Sequence, residues 1–344
     1  MKIQGTPHRA IESDPETRTV RILDQTLLPH HIEWRDLNTV EDAAEAIQVM
    51  RVRGAPLIGA TAAFGYALAL RNGADDAALA TAYEMLLATR PTAVNLRWAL
   101  DRVRSFVEPL DADSRADAAW QEAVAINDLD VHTNETLGKH GMEVLRQIHA
   151  AKTDPSAPLH IMTHCNAGWL ACVDWGTAIS PIYHAHDAGI KLHVWVSETR
   201  PRGQGASLTC WELNEQGIPH TLIADNSAGH LLQRGLVDVC IVGADRVTAH
   251  GDVANKIGTY MKALAAGDAR KALSIVLADN PLPHITGVLC DHQCMTVCSR
   301  VDYEGPVEIR AMKLACARSA TVSVVKKHEL SGKGKTAVFG AGPA

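Results

Sequence analysis

Apolar runs recur five times between residues 159 and 278, at Leu159 to Met162, Ile190 to Val196, Thr221 to Ile223, Val237 to Val242 and Leu273 to Ala278. Stretches of helical pattern separate them. Short apolar runs of this kind suit strands buried on both faces, and the intervening helices supply the crossovers of a parallel, doubly wound sheet. In that architecture ligands bind outside the carboxyl ends of the strands. The loops after the first four runs read C-N-A-G, S-E-T-R-P-R-G-Q-G, D-N-S-A-G-H and G-A-D-R, so a thiol, acids, arginines and amides all fall on one edge.

Within that edge, Cys165 leaves a strand just before the small residues Ala167 and Gly168. A thiol between a strand and a helix N-terminus is placed where backbone N–H groups and the helix dipole favour a thiolate. The competing reading is a small apolar side chain filling a core gap. Four polar, glycine-bearing loops at one edge are hard to account for as packing, and they favour a functional site. Asp245 follows the apolar C-I-V-G-A run, where burial is expected to raise its pKa and let it donate a proton; its alternative role is a helix N-cap.

Upstream, Arg51 and Arg53 precede Gly54, Ala55 and Pro56, which open a new helix. A helix N-terminus flanked by arginine suits an anion, although solvated arginines in a helix connection would look the same. Arg90 stands at a second junction, where Pro91 ends one element. Asn255 and Lys256 are expected at another helix start, where a phosphate would meet an ammonium and backbone N–H groups.

The region before residue 150 is expected to be mainly helical, with a short β-hairpin around Asp24 to Pro29. Its helices include one capped by Asn38 or Thr39, one over Asp75 to Ala88, and a long pattern from about 111 to 150 that Gly138 and Gly141 are expected to interrupt. The linker-like K-T-D-P-S-A-P at 152–158 places a boundary, giving a helical domain over 1–150 and a Rossmann-like domain over 151–344. The expected fold class is therefore α/β, a parallel-sheet domain preceded by a smaller helical one.

Composition narrows function mainly by exclusion. A net charge of −6 lacks the clustered Lys and Arg that nucleic acid requires. No apolar run approaches a membrane span and no secretory h-region opens the chain, so a cytoplasmic location is expected, with no membrane partner and with eight reduced cysteines. There is no Walker A, and the G-Q-G at 203–205 has Leu208 where a dinucleotide fingerprint needs its third glycine. Cys290, Cys294 and Cys298 with His284 and His292 fit no zinc spacing. Neither a cofactor nor a metal is expected.

Five stretches carry a family resemblance: V-R-G-A-P-L-I-G, T-R-P-T-A-V-N-L, T-H-C-N-A-G, E-T-R-P-R-G-Q-G-A-S-L-T-C-W-E-L and I-V-G-A-D-R-V-T-A-H-G-D-V-A-N-K-I-G-T-Y. In this order they resemble the methylthioribose-1-phosphate isomerases, a family grouped with the alpha, beta and delta subunits of translation initiation factor 2B. The resemblance runs from about Leu23 to Ala266. It implies an aldose–ketose isomerase acting on 5-methylthioribose 1-phosphate in methionine salvage, without cofactor, as a homodimer. It further implies Cys165 and Asp245 as catalytic residues. Substrate contacts would fall on Arg53, Gly54, Ala55, Arg90, Gln204, Asn255 and Lys256. Two other readings stay open, a ribose-1,5-bisphosphate isomerase and a non-catalytic sugar-phosphate-binding regulatory subunit. Beyond Ala266 the family's usual ending is replaced by other sequence, so the last third of the Rossmann-like domain is expected to be atypical.

Overall fold

The computed structural model describes residues 1–91, 93–154, 156–247, 253–259 and 335–338. It begins with two short antiparallel strands, β1 (Lys2–Ile3) and β2 (Thr6–Pro7), followed by a three-stranded antiparallel sheet of β3 (Ile11–Ser13), β4 (Val20–Leu23) and β5 (Trp34–Leu37). The expected hairpin is the β4–β5 pair, in which Val20 faces Leu37 and Leu23 faces Trp34. Strand β3 adds to it unannounced. Its only apolar residue is Ile11, which is fully buried, and one residue sets no period.

Five helices follow: α1 (Val40–Gln48), α2 (Ala55–Ala69), α3 (Asp76–Thr89), α4 (Val94–Val107) and α5 (Ala112–Ala150). Thr39 caps α1, accepting from the Asp42 N–H while the Asp42 carboxylate accepts from the Thr39 N–H. Asp75 caps α3 through the Ala78 N–H. Helix α2 is buried without a break from Leu57 to Leu68, as expected for a helix apolar on every side. It is the axis on which the other helices pack. At Gly65 an added Cβ would lie 2.6 Å from the Ala43 Cβ, so α1 and α2 meet almost backbone to backbone.

Helix α5 corrects the expectation of breaks at Gly138 and Gly141, since both lie inside a continuous 39-residue helix and both are buried. The reason is packing against α6 (Ser180–Asp187). A Cβ at Gly138 would stand 2.0 Å from the Ser180 Oγ and 2.4 Å from the His184 Cδ2. A mid-helix glycine costs about 1 kcal/mol relative to alanine. Here that cost is offset by the close approach, which the Ser180 hydroxyl secures by donating to the Asn134 carbonyl at 2.9 Å.

The second half is the expected parallel sheet, built from β6 (Leu159–Thr163), β7 (Leu192–Ser197), β8 (His220–Ile223), β9 (Val239–Val242) and β12 (Lys335–Val338) in the order β12-β9-β6-β7-β8. All of its pairings are parallel. The short helices α7 (Cys210–Glu215) and α8 (Ser227–Gln233) lie between strands, and a two-residue ladder joins β10 (Arg246–Val247) to β11 (Val253–Ala254). From β6 the chain steps outward through β7 and β8, then returns to place β9 on the other side of β6. The strand order therefore reverses between β6 and β9, and the loops leaving these two strands carry Cys165 and Asp245. The expected strand at Leu273 to Ala278 lies outside the described residues. The place beyond β9 belongs to β12, which sequence pattern had not marked.

One contiguous apolar cluster extends from Ile3 to Ile241 and includes Leu159, Ile161, Val194 and Val196 of the sheet. Met162, Ala228 and Cys240 form a second cluster on the sheet's other face. The central strands β6 and β9 are buried on both faces, which is why they read as continuous apolar runs, whereas the edge strand β8 is half-exposed. Among the described residues no helix is long and apolar enough to cross a membrane.

Candidate active site

At the carboxyl edge of the sheet the loops are stitched together by hydrogen bonds. The Cys165 N–H donates to the Thr199 Oγ1 at 2.7 Å, and the Cys165 carbonyl accepts from the Thr209 hydroxyl at 2.8 Å. The Asp225 carboxylate receives the Thr199 and Arg200 N–H groups at 2.9 and 2.7 Å. The His164 Nε2 meets the Ile257 carbonyl at 2.7 Å, and the Asp245 N–H donates to the Ala254 carbonyl at 2.9 Å. A Cβ on Gly243 would stand 3.1 Å from the Ala167 Cβ. The loops after β6, β7, β8 and β9 thus form one surface.

Cys165 is half-buried with φ at +66°, and Thr199, which receives its N–H, has φ at +64°. Left-handed backbone at residues with a Cβ costs on the order of 1 kcal/mol each and clusters where surrounding structure holds a functional geometry. Two expectations need correction. Cys165 does not precede an α-helix, because the loop continues to a single 3₁₀ turn at Trp169–Ala171 and α6 begins only at Ser180. The dipole of the following α-helix, which begins fifteen residues on, is therefore not what faces the thiol. Asp245 is exposed, not buried behind the C-I-V-G-A run.

The arginines separate cleanly. Arg51 is ion-paired to Asp24 at 2.6 Å and to Glu45 at 2.7 Å, so its charge is spent inside the protein. Arg53 has no such partner among the described residues. Its guanidinium donates at 3.2 Å to the Asn166 main-chain carbonyl and also to the Asn166 side-chain carbonyl. Arg90 sits at the end of α3, where burial first, then the charges of Arg53 and Arg202, hold its pKa below the usual guanidinium range. Among the described residues none of Arg53, Arg90 and Arg202 pairs with a carboxylate. Guanidinium groups gathered without counter-charge suit a phosphate. Arg202 stands in the R-P-R-G-Q-G loop, and the motif alone does not distinguish it from a solvated arginine.

Gly54 is needed beside this cluster. Its φ is +93°, and an added Cβ would lie 2.3 Å from the Ala171 carbonyl oxygen. Ala55 follows as the exposed first residue of α2. Gln204, half-buried before the π-helical turn Gly205–Thr209, keeps a buried Oε1 with no hydrogen-bond partner among the described residues, an acceptor suited to a hydroxyl donor. Asn255 donates to the Thr259 Oγ1 at 3.1 Å, and Lys256 is half-buried in the same turn. The structure therefore gathers the expected residues along one edge, and it adds Arg202 and the buried Glu212. Burial pushes the Glu212 carboxyl up to about 7, against hydrogen bonds from Leu170, Asn166 and Tyr183. Its signal in the sequence was a lone acid within L-T-C-W-E-L.

A parallel sheet carrying an anion-ready edge at its reversal point defines a class of phosphate-ligand α/β proteins, and comparison with known proteins narrows it. The initiation factor 2 subunit family matches residues 51–279. The methylthioribose-1-phosphate isomerases of Rhodospirillum centenum and Dechloromonas aromatica are each 58% identical over 268 residues, which is 78% of this chain and 71% and 73% of theirs. The crystal structure of 5-methylthioribose 1-phosphate isomerase from Pyrococcus horikoshii OT3 is 43% identical, with a TM-score of 0.69 over 76% of this chain and 73% of that one. Translation initiation factor eIF-2B subunit delta from A. fulgidus is 38% identical, with a TM-score of 0.66 over 76% of this chain and 75% of that one. The chain belongs to the initiation factor 2 subunit family, on its methylthioribose-1-phosphate isomerase branch.

A second family, described as dihydropyrimidine dehydrogenase domain II, 4Fe-4S cluster, matches residues 239–323. Cys290, Cys294 and Cys298 fall within that match and, with His284 and His292, outside the described residues. Among the described residues no group of three or more His, Cys, Asp or Glu side chains could hold a metal ion.

Proposed function

We propose that this chain is an aldose–ketose isomerase that converts 5-methylthioribose 1-phosphate to 5-methylthioribulose 1-phosphate in methionine salvage. The observation that carries this is the set of Arg53, Arg90 and Arg202, unpaired with acids among the described residues, beside the strained Cys165 loop where the strand order reverses. The relatives named for this reaction support it.

A phosphate on C1 locks the sugar as a ring, so the ring bond at C1 must break before a ketone can form. Asp245 supplies the proton to the departing ring oxygen. The C2 hydrogen then moves to C1, and the C2 hydroxyl loses its proton to become the carbonyl. The sum is a redistribution within one molecule, with no external oxidant or reductant. Two routes deliver that hydrogen. In one, Cys165 is the base that takes it as a proton, an enol phosphate forms between C1 and C2, and the proton is returned to C1; in the other it passes as hydride while Cys165 shapes the site. Arg53 and Arg90, with Lys256 and the Gly54–Ala55 backbone, hold the phosphate, while Gln204 and Asn255 hold sugar hydroxyls. The same proposal includes a homodimer in the cytoplasm and a division near residue 150 into a helical and a Rossmann-like domain.

The test is to supply 5-methylthioribose 1-phosphate and follow ketose formation. Cys165→Ser and Asp245→Asn are each expected to lower kcat by roughly a thousandfold. Full activity in both variants overturns the assignment of roles. A preference for ribose 1,5-bisphosphate selects that substrate instead, and tight binding without turnover of either selects a regulatory subunit. Substrate deuterated at C2 separates the routes, since a proton exchanges with solvent and a hydride does not.

A further inference from the structure

Beneath the arginines lies a buried chain of polar groups that the proposed reaction does not itself use. Glu212 is fully buried in α7. Its carboxylate accepts from the Leu170 N–H at 2.7 Å, from the Asn166 side-chain NH₂ at 3.2 Å and from the Tyr183 hydroxyl at 2.9 Å. The Asn166 NH₂ also donates to the Thr209 Oγ1 at 3.1 Å, and its carbonyl end accepts from Arg53. These two ends admit only one orientation of the amide. A guanidinium requires an acceptor, so the Asn166 amide oxygen faces Arg53 and its NH₂ faces Glu212; above pH 7, where Glu212 is ionised, this dipole is locked between a cation and an anion.

The surroundings are built tightly around this carboxylate. A Cβ on Gly168 would fall 1.6 Å from the Glu212 Oε2, so the loop that carries Cys165 passes directly against it. The Thr209 hydroxyl that donates to the Cys165 carbonyl is the group to which Asn166 donates. A buried charge is costly unless it is paired and hydrogen-bonded, and a leucine or methionine here would pack without that cost. What the acid supplies is a fixed amide, and through it a fixed guanidinium.

We propose that Glu212 is a positioning residue for phosphate recognition: its carboxylate fixes the Asn166 amide, and the Asn166 carbonyls in turn hold the Arg53 guanidinium at the site edge. This rests on the isomerase reading for the natural ligand but not for its test. Substrate held by a pre-oriented guanidinium does not have to order that side chain on binding. Loss of Glu212 therefore weakens binding and leaves the chemical step.

The test uses the full chain, with inorganic phosphate as a competitive probe by calorimetry and the methylthio sugar phosphate in the isomerase assay. Glu212→Gln keeps the shape and removes the charge, and its expected effect is about tenfold weaker phosphate binding and about tenfold higher KM, with kcat within about twofold. Asn166→Asp sets two carboxylates side by side and is expected to bind worse than either parent. Combining it with Glu212→Gln lets the new carboxylate at position 166 pair with Arg53 directly while the new amide at position 212 donates to it, so the double variant is expected to recover most of the loss. Unchanged phosphate affinity in folded Glu212→Gln overturns the inference. So does the absence of any rescue in the double variant, or of measurable phosphate binding in the parent chain. Absence of turnover in a parent chain that does bind phosphate refutes the isomerase reading alone.

Discussion

Arg51 and Arg53 are two residues apart, yet they belong to opposite kinds of region. Arg51 faces the antiparallel sheet and α1, where Asp24 also receives Arg35 at 2.6 Å and the Thr26 hydroxyl at 2.5 Å. Asp24, Arg35, Arg51, Glu33 and Glu45 there all pair with an opposite charge. Arg53 faces the carboxyl edge of the parallel sheet, where its nearest charged neighbours include Arg90 and where only neutral carbonyls receive its protons. The difference separates structural from functional cations better than exposure does. A cation already neutralised by the fold has little left to offer a ligand, whereas like charges left facing one another lower their energy by taking an anion.

The most demanding challenge to this distinction is to remove the counter-charge from the saturated region. Burial pushes the Asp24 carboxyl up, but hydrogen bonds from Thr26, Arg35 and Arg51 outweigh it and hold the pKa below the usual carboxylate value. Asp24→Asn leaves two guanidinium groups without it and is expected to destabilise the chain by about 3 kcal/mol in denaturant melts at neutral pH. The sign with pH follows from the lowered value. The stabilisation is complete above the unfolded carboxylate range, near pH 4, and is lost as acid carries the solution through the folded value. The gap between parent and variant should close only in that acid window, and a gap that stays constant with pH would remove the charge from the explanation.

At the other region the expectation reverses. Arg90→Ala deletes a half-buried cation that Arg53 and Arg202 oppose. Its melting point should hold or rise slightly, while KM for the sugar phosphate rises about tenfold. A variant that unfolds readily with an unchanged KM would place Arg90 among the structural arginines after all.

The two regions were also unequally legible in sequence. The parallel sheet announced itself because its central strands β6 and β9, buried on both faces, read as bare apolar runs and alternate with helical stretches, and the switch-point rule then put Cys165 and Asp245 on one edge. Period and composition could not show that Arg51 is neutralised, since Asp24 is distant in sequence and meets it only through the fold of β4 and β5. Gly138 misled for a related reason, because a glycine that breaks an isolated helix also lets α6 come close. Glu212 stayed hidden within an apolar stretch, its partners supplied by a loop and by α6. β12 was equally hidden, since nothing in K-T-A-V distinguishes it from a short loop until Val239 to Val242 offers it a parallel edge.

The smallest expected effect lies at the margin of the arginine cluster. Arg202 is exposed, its guanidinium resting on the Met50 sulfur, and it acts on Arg90 through space. An exposed charge contributes mostly a long-range field, which salt screens over about 8 to 10 Å at ordinary ionic strength. Arg202→Ala should therefore raise KM only about threefold at low salt, in line with the weakness of exposed charge interactions, and the difference should fade as salt is added. The loss at Arg90, whose guanidinium is half-buried, should persist in the same titration. Equal salt sensitivity at both positions would mean that the two arginines meet the phosphate in the same way, and that partial burial does not divide the cluster into a contact and a field.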